Sequence, residues 1–172
     1  MNILLGISGG IAAYKAPELV RALRRRDHAV RCVLTANGAK LVAANALAAV
    51  SGQPVYDDLW SADGHIPHID LPRWAHALVI APATADLLAR LSLGLADDLL
   101  TTLVLALEPA KPVWLAPAMN TVMWEKPVVQ AHVATLAGRG ARIIPPVSGN
   151  LACGEQGVGA MADPERIADA IA

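Results

Sequence analysis

Short, nearly uncharged runs rich in Val, Ile and Leu recur along this chain with helix-forming segments between them. NILLGI (2–7) precedes a helical segment over about 11–26, whose far face carries Arg21, Arg24, Arg25 and Arg26. AVRCVLT (29–35) precedes a helix near 38–51, and ALVIAP (77–82) leads into helical segments through 84–106. PVWLAP (112–117) leads into a helix ending near Gly138–Gly140, and ARIIPP (141–146) leads to a glycine-rich loop and a last helix, 164–171. Strands of this kind alternating with helices imply βαβ units and a parallel sheet. Right-handed crossovers then give a three-layer α/β/α fold, a doubly wound parallel sheet of Rossmann-like type. Strands covered on both faces read as continuous apolar runs. That accounts for a chain that is 55% hydrophobic and only 17% charged. Its 172 residues suit one domain, 1–172, with one sizeable core.

Several function classes lose their footing here. No uncharged apolar run reaches the ~18 residues of a spanning helix, so no membrane partner is expected. The opening MNILLGISGG lacks a basic n-region and a cleavage site and reads as a strand, so a cytoplasmic location is expected. A formal net charge of −1 offers no electrostatic case for nucleic acid. The two cysteines, Cys32 and Cys153, make neither a disulfide framework nor a CxxC metal motif. Two long segments, 52–70 and 146–160, show no clear secondary structure, and loops of that length usually carry function.

In doubly wound folds ligands bind beyond the carboxyl ends of the strands. In SGGIAAYK (8–15), Gly9 and Gly10 let backbone N–H groups approach an anion and Ser8 can donate a hydroxyl. The same turn also reads as an ordinary tight βα connection. The second strand ends in Thr35 and not in an acid, which disfavours a nicotinamide dinucleotide and suits a mononucleotide phosphate. PATAD (82–86) can edge a flat ring with its backbone, or simply cap a helix with Thr84. HIPHIDLPRW (65–74) offers His65 and His68 for proton transfer near neutral pH, or as surface residues. Asn120 in PAMNTVMW (117–124) suits a substrate carboxylate, or a helix cap. Cys153 in NLACGEQGVGAMAD (150–163) stands open as nucleophile, acid, metal ligand or buried small residue, while Cys32 reads as inert core.

Taken together, GISGGIAAYK (6–15), HIDLPRWA (68–75), APATAD (81–86), PAMNTVMW (117–124) and LACGEQGVGAM (151–161) resemble the flavin-containing cysteine decarboxylases. Among these they are most similar to the phosphopantothenoylcysteine decarboxylases of coenzyme A biosynthesis. The resemblance implies FMN as cofactor. It implies decarboxylation of 4'-phosphopantothenoylcysteine to 4'-phosphopantetheine through a thioaldehyde and an enethiolate. It further implies His68 as base, Cys153 as proton donor and Asn120 as the carboxylate's ligand, with Ala118, Met119, Gly154, Ala160 and Met161 around the substrate. Ser8, Gly9, Gly10, Ile11 and Thr35 are implied for the FMN phosphate, and Pro82, Ala83, Thr84 and Ala85 for the ring edge. Segment 150–161 would close over the substrate. The family assembles as trimers or dodecamers with active sites between subunits. Ala160 departs from the arginine common in bacterial members. Two alternatives within and beside the family are an oxidative decarboxylase of a peptide's C-terminal cysteine and a non-catalytic flavin-binding regulatory subunit.

Overall fold

The computed structural model describes residues 1–60, 66–150, 154 and 156–171. Six parallel strands make the sheet: β1 (Asn2–Ile7), β2 (Ala29–Leu34), β3 (Val55–Tyr56), β4 (Ala77–Ala83), β5 (Val113–Pro117) and β6 (Arg142–Ile143), in the order β3-β2-β1-β4-β5-β6. The first strand is thus central: Leu5 pairs with Cys32 of β2 on one side and Val79 of β4 on the other. The three-layer, doubly wound architecture expected from the alternation is the one observed.

Alternate residues of β1 serve opposite faces, as the two-residue strand period requires. Ile3, Leu5 and Ile7 join one core with α1 (Ala16–Arg24), α2 (Ala44–Ser51) and α8 (Pro164–Ile171), through Leu19, Leu23, Leu47, Ile167 and Ile171. Leu4 joins the other core, with Leu78 and Ile80 of β4. That face is covered by α3 (Pro67–Trp74), α4 (Ala85–Leu93), α5 (Leu99–Ala106) and α7 (Pro127–Gly138), through Leu71, Leu88, Leu100, Leu103 and Leu136. Each such fully buried side chain contributes about 1.5–3 kcal/mol. A single Leu5→Ala change would cost roughly 2–5 kcal/mol by leaving a cavity at the centre of the sheet. Gly6 marks the tightest approach between layers, since a Cβ there would stand 2.4 Å from Leu100 Cδ1.

Local chemistry sets the helix ends. Thr84 caps α4 by accepting from the Leu87 N–H at 3.3 Å, and Gly94 ends that helix at φ +73°. Asp98 caps α5 in a reciprocal box with Thr101, accepting from the Thr101 N–H at 2.8 Å. Just past the end of α1, Arg25 pairs with Glu18 of α1 and Glu165 of α8, and Arg26 with Glu165 and Asp169 of α8. Those guanidiniums, Arg26 foremost, hold the Glu165 carboxyl below its ordinary range.

Three expectations are corrected. Segment 52–70 holds β3 and the start of α3; Pro67 sits in the first turn, where a missing N–H is harmless. Segment 146–160 contains an antiparallel hairpin, β7 (Val147–Asn150) and β8 (Gln156–Ala160). The single helix expected after PVWLAP is two, α6 (Thr121–Trp124) and α7. Pro127 drives Lys126 to an extended ψ of 129° and breaks them apart.

Candidate functional site

The strand order reverses beside β1, so the turns leaving β1 and β4 stand next to each other at the carboxyl edge. This is the switch point where doubly wound sheets bind ligands. Ser8 fastens the two turns together: its hydroxyl donates to the Pro82 carbonyl at 2.7 Å and accepts from the Thr84 N–H at 3.2 Å. A cavity of about 720 Å³ opens there, well within the roughly 300–1,000 Å³ of small-molecule sites.

The glycine turn forms one wall. Ser8, Gly9, Gly10, Ile11 and Thr35 all line the cavity. Only glycine fits at position 9, because a Cβ would stand 2.3 Å from Asn37 Cβ. Ser8 and Thr35 do less donating than expected. The Ser8 proton goes to Pro82 O; the Thr35 hydroxyl accepts from Gly38 N–H at 3.0 Å and lies 3.5 Å from Ile7 O. Both hydroxyls brace turns, which leaves main-chain N–H groups at the start of the Ile11–Lys15 3₁₀ turn, without an intrahelical partner, as the donors an anion could use.

Thr84 and Ala85 line the adjoining wall, whereas Pro82 and Ala83 are buried within β4 beneath it. Ala118, Met119, Asn120 and Met123 supply the next wall, and Ala160 and Met161 the last. Asn120 lines the cavity, and its Oδ1 caps α6 by accepting from Val122 N–H at 2.8 Å. The β7–β8 hairpin is seated on this turn. The Met119 N–H donates to Gly159 O at 3.0 Å. A Cβ on Gly157 would meet Thr121 Oγ1 at 2.3 Å, and one on Gly159 would meet Met119 O at 2.2 Å. Gly154, with φ +84°, does not line the cavity.

His68 stands apart from this cavity, on α3, which packs against α5 on the face opposite α1. Its buried Nδ1 has no hydrogen-bond partner among the described residues. His65 and Cys153 lie outside the described residues. Cys32 is buried core, and burial pushes its thiol up to about 12.

Sequence reasoning did not single out Tyr14, Asp86, Arg90 and Asp98, which also line the cavity. Asp86 and Arg90 are one helical turn apart on α4, a spacing that puts them on one face. Arg90 is held by Asp97 and, at 3.4 Å, by Asp98, while its buried Nε has no partner among the described residues. The charged lining is balanced, Lys15 and Arg90 against Asp86 and Asp98. Among the described residues no group of three or more His, Cys, Asp or Glu could hold a metal ion, and no helix is long and apolar enough to cross a membrane.

A switch-point cavity behind a glycine turn that presents backbone N–H groups defines a class: α/β proteins that hold a nucleotide by its phosphate. The Flavoprotein family model matches residues 1–172, and the chain belongs to that family. It is 48% identical over 170 residues to the coenzyme A biosynthesis bifunctional protein CoaBC of Escherichia coli strain K12, covering 98% of this chain and 41% of that one. The chain thus spans about two fifths of the length of such relatives. A PPC decarboxylase mutant complexed with pantothenoylaminoethenethiol superposes with a TM-score of 0.89 at 35% identity, over 99% of this chain and 95% of that one. The FMN-dependent cysteine decarboxylase SpaF superposes with a TM-score of 0.84 at 36% identity, over 99% and 95% of the two chains.

Proposed function

We propose that this chain is an FMN-dependent decarboxylase that converts 4'-phosphopantothenoylcysteine to 4'-phosphopantetheine in coenzyme A biosynthesis, acting in the cytoplasm, with residues 1–172 forming one FMN-binding decarboxylase domain. The observation that carries the reading is the shared wall of one cavity, in which glycine turn, Asn120 turn and hairpin base meet. It occurs in a chain that matches a PPC decarboxylase over 95% of that protein.

FMN suits the donor set. Main-chain N–H groups at the start of the Ile11–Lys15 turn would hold its phosphate, braced by Ser8 and Thr35, and the Thr84–Ala85 backbone would edge its ring. When bound, FMN supplies the oxidation of the substrate's thiol-bearing carbon that makes loss of CO₂ easy, and the returning hydride that keeps the reaction redox-neutral. The chain's own residues bind, orient and move protons. The amide N–H donors of Asn120 would meet the substrate carboxylate, with Ala118, Met119, Ala160 and Met161 packed around it and Gly154 in the covering segment. His68 would accept the proton released on oxidation. Cys153 would deliver the proton of the reductive half. A base delivered from a neighbouring subunit accounts for His68 standing outside the cavity of its own chain. This favours a homo-oligomer, a trimer or a dodecamer of four trimers, with active sites between subunits.

The similarity to SpaF favours one second reading, oxidative decarboxylation of a peptide's C-terminal cysteine. The test is CO₂ release by the FMN-loaded protein. Turnover of phosphopantothenoylcysteine with no net change in flavin absorbance is expected. Turnover of a cysteine-ending peptide alone would favour the second reading, and a protein that takes up no FMN would remove both. Cys153→Ser is expected to release CO₂ but stall before the reductive step, yielding the enethiol; unchanged product would take Cys153 out of the mechanism.

A further inference from the structure

The cavity has two cations in its lining, Lys15 and Arg90. They are not equivalent. Arg90 is clamped by Asp97 and Asp98. Lys15 has one ion-pair partner among the described residues, Asp163 at 3.5 Å, whose side chain is 80% exposed against 24% for the lysine. A pair at that distance beside open solvent is worth roughly 0–1 kcal/mol, so an arriving dianion displaces the carboxylate readily. Resting on the decarboxylase reading above, we propose that Lys15 is the specificity-determining cation for the phosphate of the substrate.

Position separates this role from that of the glycine turn. Lys15 closes the 3₁₀ turn that Ile11 opens, and at a rise of about 2 Å per residue the two ends stand roughly 8 Å apart. The turn that would hold the cofactor phosphate and the lysine are therefore two anion positions in one cavity. Lys15 belongs to the hairpin side. Its partner Asp163 follows Ala160 and Met161, which line the same cavity. Strand β8, QGVGA, brings no charge to that side, and Ala160 brings only a methyl group. A substrate whose carboxylate end is taken by Asn120 and whose chain runs along Met161 ends beside Lys15. Lys126, the other lysine near the Asn120 turn, does not line the cavity.

The test uses FMN-loaded protein and two compounds that differ only in the phosphate, 4'-phosphopantetheine and pantetheine, titrated calorimetrically so that no turnover is needed. Wild type is expected to bind the phosphorylated compound at least tenfold more tightly. Lys15→Met is expected to lose that preference while keeping its affinity for pantetheine, and Lys15→Arg to retain most of it. A Lys15→Met protein that keeps the preference, or that weakens equally for both compounds, overturns the assignment. So does one that loses FMN but not riboflavin, because the lysine would then serve the cofactor. Wild type that binds both compounds equally overturns only the role of Lys15. Wild type that binds neither overturns the decarboxylase reading along with it.

Discussion

Replacing Gly159 by alanine asks whether the β7–β8 hairpin and the Asn120 turn form one wall. The new Cβ would stand 2.2 Å from Met119 O and 3.3 Å from the Thr121 nitrogen. Non-bonded atoms of this size settle beyond about 3 Å, so strand or turn must give by roughly 1 Å. The Met119 N–H to Gly159 O bond, now 3.0 Å, would then leave hydrogen-bonding range. Overpacking costs about 1–3 kcal/mol and the lost bond about 1 kcal/mol more, or roughly 2–4 kcal/mol together. For a domain of this size each kcal/mol moves the melting midpoint by about 2–4 °C, so a fall of about 5–15 °C is expected by circular dichroism. If the hairpin swings outward to relieve the clash, the midpoint holds. The wall carrying Met119 and Asn120 then changes shape, and substrate affinity weakens at constant flavin content. A Gly159→Ala protein unchanged in both melting and substrate affinity would refute the close approach.

Glu165 has its folded pKa depressed below the ordinary 4.5 by Arg26 and Arg25. The resulting stability is therefore full above that ordinary value and is lost as pH falls through the folded one. Wild type should lose more of its melting temperature than Glu165→Gln on acidification from about pH 5 to about pH 3; parallel curves would contradict this. Cys32, its thiol raised to about 12 by burial, should resist alkylation at neutral pH until the protein is denatured, and rapid native labelling mapped to its peptide would contradict the burial. Asp98→Ala removes the carboxylate half of the α5 capping box and leaves the Thr101 hydroxyl able to accept from the residue-98 N–H. It should cost about 1 kcal/mol, or some 2–4 °C in melting midpoint, and an unchanged midpoint would deny the cap its role.

The sheet was legible because its strands are buried on both faces: a run such as ALVIAP has no polar alternation to confuse it with a surface strand. Strands pair over long sequence distances, so β3, two residues long, announces itself only once β2 is beside it, whereas β6 falls within the ARIIPP run. The hairpin was hidden for a different reason. Gly157 and Gly159 weaken any strand signal, and what demands them is Thr121 and Met119, remote in sequence. Asn120 carried two readings that composition could not separate, and Thr84 two of which the cap was the stronger; in the structure each capping side chain, at the end of a parallel strand, also lines the cavity. The glycine turn lines the cavity, yet the hydroxyls beside it are braces, because only coordinates reveal that Pro82 O takes the Ser8 proton. His68 was singled out by its motif alone, and the fold sets it outside the cavity of its own chain.

The central position of β1 also bears on how the chain is made. Its β2 neighbour follows directly, but its other neighbour, β4, begins only at Ala77. During synthesis the strand destined for the middle of the sheet therefore spends the time needed to add residues 35–76 with one flank open. At about 5–20 residues per second this lasts roughly 2–8 s. For that interval an apolar strand presents an unpaired edge, the kind of template that recruits other chains. The nascent protein's hazard thus falls before the site exists, and it ends when β4 docks and Ser8 ties the two turns together.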